Sequence, residues 1–205
     1  MKKVFMLVLL LSLVISGCAQ KKLSREEQLA IQERNSVAAV QVYEGYTVDE
    51  LAQAAENVLY LIDPGFDTDI KHLKNSVISH RRYLIYMVLS AVMGVDTWVV
   101  RIEEKTPNVH KVSVVADGVF AGLIMPSPVA VEDIHPNSTK LPEASAKLFF
   151  ERLDYFLGKQ TVWRSCKNSE TWAKQHNYLT DPHEPLAFIC NGVGIEDKTP
   201  DYLNK

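Results

Sequence analysis

The chain has 205 residues, 47% of them hydrophobic and 23% charged, with 22 basic against 25 acidic side chains and a formal charge of −3. Such a composition belongs to a globular protein and excludes a disordered or fibrous one. The acidic balance also excludes the clustered basic footprint with which proteins hold nucleic acid.

Met1, Lys2 and Lys3 give the chain a positive end, and Val4 to Ile15 follows as an apolar run of about a dozen residues. A helix needs roughly twenty apolar residues to cross a hydrocarbon core, so the run is read as the middle of a cleavable signal peptide and not as a permanent span. The stretch Leu13-Val14-Ile15-Ser16-Gly17-Cys18 resembles the lipobox of bacterial lipoproteins. That resemblance implies a diacylglycerol on the Cys18 thiol, cleavage before Cys18 and acylation of the freed amino group, which together make a stable membrane anchor. An aspartate after the lipidated cysteine marks inner-membrane retention in enterobacterial members. Here that position is Ala19, so the resemblance implies the outer membrane, facing the periplasm. It covers the leader alone and carries no fold. Residues 1–17 are thus expected as signal peptide and 18–36 as a lipidated tether. Removing the leader, and with it Lys2 and Lys3, leaves 188 residues with 20 basic against 25 acidic side chains, a charge of −5.

Ala19 to Asn35 is polar, and Ser24-Arg25-Glu26-Glu27 offers a capping box for a short helix through Arg34. Val37 to Glu44 predicts a strand with Val40 and Val42 on one face and Gln41 and Tyr43 on the other. Thr47-Val48-Asp49-Glu50 is a second capping box, with Tyr46 and Leu51 placed as its hydrophobic staple. The helix it opens has a core stripe of Leu51, Ala54, Ala55, Val58, Leu59 and Ile62, and Asp63-Pro64-Gly65 stops it.

Beyond Phe66 the period changes to two. Trp98, Val100 and Ile102 alternate with Thr97, Val99 and Arg101, and Val109 to Ala116 repeats the alternation, so Glu104 to Asn108 is expected to join an antiparallel hairpin. Tyr83 to Val95 is nearly all apolar and fits helix or strand by periodicity. Its tyrosines and β-branched neighbours favour a strand over Arg82 to Leu89, with a break at Gly94 and Asp96. With a further strand at Thr68 to Leu73, the fold expected over 37–125 is α+β: an antiparallel sheet of about five strands packed against the capped helix.

Residues 126–205 are expected as a loop and helical appendage. Pro126, Pro128, Pro136 and Pro142 rule out long regular elements at first. Ala146, Phe149, Phe150, Leu153, Phe156 and Leu157 then form a helical stripe with Gly158 as its C-cap, and a short helix is expected from Asn168 to His176. Cys166 and Cys190 remain as an even pair in a chain bound for an oxidising compartment, which predicts a disulfide closing about 25 residues. The rival reading takes Cys166, His176, His183 and Cys190 as zinc ligands, but every gap exceeds the two-to-five spacing of compact sites.

Catalytic signatures are absent from this pattern, and no cofactor or metal is implied. His72, His80, Arg81 and Arg82 are close in sequence, either as a cationic patch or as solvated strand faces. Asp96 reads as a turn residue, the alternative being a buried carboxylate orienting His110. The Gly192-Val193-Gly194 stretch lacks the strand and helix of a dinucleotide loop, and neither Ser16 nor Ser165 sits in a nucleophile elbow. Three functions fit: a non-catalytic module binding another envelope protein, a lipid carrier with a pocket at Tyr83, Ile85, Met87 and Trp98, and a hydrolase. The expected partners are the membrane, through lipid on Cys18, and a second envelope protein.

Overall fold

The computed structural model describes residues 24–62, 67–87, 90–121, 141–176 and 186–190. The predicted signal peptide, Cys18, Asp63-Pro64-Gly65, His183 and the Gly192-Val193-Gly194 stretch lie outside them. Two units divide the chain, Met1–Gln32 and Glu33–Lys205. Among the described residues no helix is long and apolar enough to cross a membrane.

The first helix among the described residues is α1 (Arg25–Ala38). In the second unit β1 (Val40–Glu44) leads through Gly45, at φ +81°, into α2 (Val48–Tyr60). The capping box at the start of α2 is formed in full: the Thr47 hydroxyl accepts from the Glu50 backbone N–H and the Glu50 carboxylate accepts from the Thr47 backbone N–H. Leu51, Ala54, Ala55, Val58, Leu59 and Ile62 are buried as their spacing requires, while Gln53 is exposed and Glu56 and Asn57 are half-buried.

Four strands then run as an antiparallel meander, β2 (Asp67–Leu73), β3 (Ser76–Met87), β4 (Ser90–Thr106) and β5 (Val109–Ala121). β1 joins outside β5, giving the order β1-β5-β4-β3-β2. At the β4–β5 turn Pro107 supplies a fixed negative φ and Asn108 sits at φ +64°, a conformation asparagine tolerates better than most residues. Lys105 is passed over in the pairing, a bulge beside that turn.

One face of the sheet carries Val77, Trp98, Val100, Ile102, Val112, Val114 and Ala116, which share a single core with the stripe of α2. The same core takes in Leu148, Phe149, Phe150 and Leu153 of α3 (Glu143–Phe156), and Phe149 stacks on Trp98 with ring centroids 6.3 Å apart. Each fully buried Val, Leu, Ile or Phe contributes about 1.5–3 kcal/mol. The opposite face buries a smaller cluster, Ile78, Val99 and Val115. Gly158, at φ +72°, follows the C-cap Leu157 and lets the chain leave α3. Two helices complete the C-terminal part, α4 (Cys166–Gln175) and α5 (Ala187–Cys190), joined by a Cys166–Cys190 disulfide with the α-carbons 5.9 Å apart. The fold is α+β, a five-stranded antiparallel sheet on a capped helix with C-terminal helices pinned by a disulfide.

Three expectations change in detail. α1 continues to Ala38 instead of ending at Arg34, with the Ala39 N–H still bonded to the Asn35 carbonyl, so the strand starts at Val40 and not Val37. Strand β3 begins at Ser76, six residues before the expected Arg82. Gly94 and Asp96 do not break the chain but lie inside β4, opposite Tyr83 and Arg81. The physical reason is pairing: Asp96 is tolerated mid-strand because Arg81 meets it across the ladder.

Candidate binding groove

The α3 sequence has two stripes. Leu148, Phe149 and Leu153 go into the core, and Glu143, Lys147, Glu151 and Asp154, at steps of four, four and three, line up on another face. That polar face runs beside β1. The Glu143 N–H donates to the Asn35 side-chain oxygen (2.9 Å), the Gln41 amide donates to Asp154 (3.5 Å), and the Tyr46 hydroxyl donates to the Leu157 carbonyl (3.3 Å). Between helix and strand is an open groove of about 460 Å³, lined by that stripe together with Ala38, Gln41, Phe150 and Gln160.

Most charges in it are balanced. Glu151 meets Lys147 at 3.2 Å and Arg164 at 2.9 Å, and Asp154 meets Lys159 at 3.5 Å. Glu143 differs. Among the described residues it has no cation, and its Oε2 is buried without a hydrogen-bond partner. Behind the groove wall the Tyr43 side chain is fully buried, with the Lys159 ammonium 4.6 Å from its ring centroid. Burial first, and the neighbouring Asp154 carboxylate second, push the Tyr43 hydroxyl far above the ordinary tyrosine range, so it stays protonated at any physiological pH.

The groove borders an edge of the sheet. The Ala39 carbonyl accepts from Val114 and the Gly45 N–H donates to Asn108, both at 2.9 Å. Alternation in an antiparallel ladder then turns the N–H and C=O groups of residues 39, 41, 43 and 45 toward β5, and those of Val40, Val42 and Glu44 off the sheet. Among the described residues nothing pairs with them. Val40 and Val42 are also exposed side chains, 36% and 52%, with Val37 at 71%.

The residues singled out from sequence lie elsewhere. Trp98 is a core side chain, 1% exposed, and of Tyr83, Ile85 and Met87 only the backbone positions on β3 are described. The disulfide takes Cys166 and Cys190 out of the alternative zinc set. His72 forms an exposed pair with Glu56 at 2.9 Å, and His80 bonds the Thr97 hydroxyl at 3.0 Å. Burial, then the charge of Lys71, hold the His80 imidazolium below its usual range. Arg81 points to the other face, buried against Asp96, so the four basic residues do not form one patch. Asp96 is therefore no turn residue, and it does not orient His110, which lies opposite Tyr43 and Glu104 near the far end of the hairpin. Burial raises the Asp96 carboxyl's hold on its proton, Arg81 opposes this, and nearby Asp117 adds to it. Ser165 is the N-cap of α4, accepting from the Asn168 N–H. Of the aromatic stripe, Phe149 and Phe150 are core, and Phe156 packs against the core half-buried.

Sequence reasoning missed the groove. The i, i+4 polar stripe of α3 was its only local signal, because Gln41 and Asp154 are 113 residues apart. No protein family, no curated protein and no solved structure matches the chain. Its reading thus rests on chemistry alone: carboxylates, amides and a lysine suited to recognising cationic and hydrogen-bonding groups, beside a strand whose outward backbone donors and acceptors nothing among the described residues pairs with.

Proposed function

We propose that this is a lipid-anchored protein of the bacterial envelope, held through Cys18 on the outer membrane and facing the periplasm, whose α+β body is a non-catalytic module that binds another envelope protein. The observation that supports it best is the open groove between α3 and the edge of β1, which no strand among the described residues pairs with. Strand edges and polar-rimmed grooves are common peptide-recognition surfaces. The leader supports the address, since a lipidated cysteine followed by alanine resembles outer-membrane lipoproteins, and the disulfide suits an oxidising compartment. A lipid carrier is the second reading. It rests on the apolar run from Tyr83 to Trp98, and the one described side chain of that pocket, Trp98, is engaged by Phe149 in the packed core.

The test is a crosslinked pull-down of the anchored protein from its native envelope, with mass spectrometry of both proteins and lipids in the eluate. A stoichiometric protein crosslinked at β1 or α3 is the expected result. A bound lipid with no protein partner would replace this reading with the carrier. For the anchor, Cys18→Ser is expected to remove the protein from the membrane fraction, and an unchanged distribution would refute it.

A further inference from the structure

The groove has a definite length, direction and charge, and these restrict what fits. The stripe from Glu143 to Asp154 spans about 16 Å of helix at 1.5 Å per residue, and the five residues of β1 span about 13 Å at 3.3 Å. A strand laid along β1 would therefore run beside most of the stripe. Its alternate side chains would face two surfaces: toward α3 on one side, and beside exposed Val40 and Val42 on the other. The lining toward α3 carries Glu143, Glu151 and Asp154 against Lys147, and Glu143 is the carboxylate with no cation among the described residues.

We propose that β1 and α3 accept an extended segment of a partner protein as a sixth strand, one in which basic residues alternate with apolar ones. This rests on the binding-module reading and names its partner's chemistry. Backbone bonds to Val40, Val42 and Glu44 supply the pairing, and a lysine or arginine opposite Glu143 supplies a charge-assisted bond to an oxygen now lacking one. The apolar positions cover Val40 and Val42. A second copy of β1 fits less well, because its alternate residues Gln41 and Tyr43 would bring no cation to Glu143.

The experiment uses the full chain in mild detergent and a dye-labelled eight-residue peptide alternating lysine with valine, followed by fluorescence anisotropy. Comparators are the same peptide with glutamate for lysine, and two versions N-methylated on one or the other alternate set of residues. The lysine peptide is expected to bind about tenfold or more tightly than the glutamate peptide, and one of the N-methylated versions to lose about tenfold, since only one set of amides faces β1. Glu143→Gln should weaken the lysine peptide and flatten its salt dependence. Val42→Pro should weaken it too, removing an N–H that β5 does not use, and the N-methylated peptides read the same bond with the protein untouched. Equal binding of lysine and glutamate peptides, indifference to both methylations, or no binding at all would overturn the proposal. A pull-down partner crosslinked away from β1, with no peptide bound, would sink the added strand and leave the binding-module reading standing.

Discussion

The sheet ends in two edges of opposite character. At β2 the outward residues are charged, Asp69 and Lys71 pairing at 3.0 Å, while His72 meets Glu56 of α2, and one strand further in Arg81 and Asp96 form a buried pair. At β1 the outward residues are Val40, Val42 and Glu44, so the first two turns of the pleat are apolar and the one charge sits at the strand's end, and further polar groups lie on a neighbouring helix across a groove. Charges along an edge are how proteins keep other strands away. On the proposal above, the difference separates a guarded edge from one that, among the described residues, has no neighbour, and it assigns separate tasks to charges that look alike in sequence.

The largest effect should come from the buried pair. Arg81→Ala is expected to cost about 3–5 kcal/mol in denaturant unfolding, because it strands the Asp96 charge in the interior. Without Arg81 the Asp96 carboxyl is raised by burial unopposed, so the variant's deficit should be absent below the ordinary aspartate range and grow as pH rises toward the folded value. Lys159→Ala at the other end removes an ion pair whose side chains are 36% and 22% exposed and a cation held over the Tyr43 ring, and should cost about 1–2 kcal/mol, less than the buried pair. Equal costs at both ends would remove the distinction between a structural pair and a groove-lining one.

These pairs also show what the sequence discloses. The α2 helix was legible because its cap and stripe are local, three and four residues apart, and the β4–β5 hairpin because its alternation and turn are local too, whereas the disulfide was legible from the count of cysteines left after the leader. The first half of β3 was not, since Ser79, His80 and Arg81 look like solvated residues until Asp96 and Thr97 stand opposite them. Asp96 looked like a turn for the same reason. The groove needed α3 laid along β1, which only contacts across more than a hundred residues specify.

Next in size is the disulfide, which closes a 24-residue separation beyond α3. Replacing both cysteines by alanine should cost about 3 kcal/mol on the chain-entropy account, and reduction should shift the mobility of the parent alone. Leu148, Phe149 and Leu153 are held by the core, so the loss should fall on α4 and α5 and leave the groove's α3 wall in place. Hydrogen exchange separates the cases: faster exchange in α4 and α5 is expected, and equal acceleration in α3 would tie the groove to the disulfide.

A smaller effect is expected where β1 hands over to α2. Thr47→Ala should cost about 1 kcal/mol near neutral pH. The Glu50 carboxyl is held below its usual range, first by the Thr47 N–H and then by the Thr47 hydroxyl. A lowered folded value stabilises above the ordinary glutamate range, and that part is lost as pH falls through the folded value. Thr47→Ala removes the hydroxyl's share, so the gap between parent and variant should narrow in acid. A gap constant from pH 7 to pH 3 would mean the threonine acts without the glutamate.

The smallest change in stability should give the sharpest test of the two edges. Val42→Lys and Lys71→Val each alter one exposed side chain on an edge strand, and each should move stability by no more than about 0.5 kcal/mol. Their effects on association should nevertheless be opposite. Lysine at position 42 places a charge where an incoming strand would lie and should reduce capture of the lysine–valine peptide. Valine at position 71 removes half of the Asp69–Lys71 pair, lengthens the apolar surface next to exposed Leu73, and should promote concentration-dependent self-association in sedimentation velocity. If Lys71→Val stays as monodisperse as the parent, charge is not what guards β2. The contrast would then rest on the shape of the groove, with α3 standing beside the β1 edge.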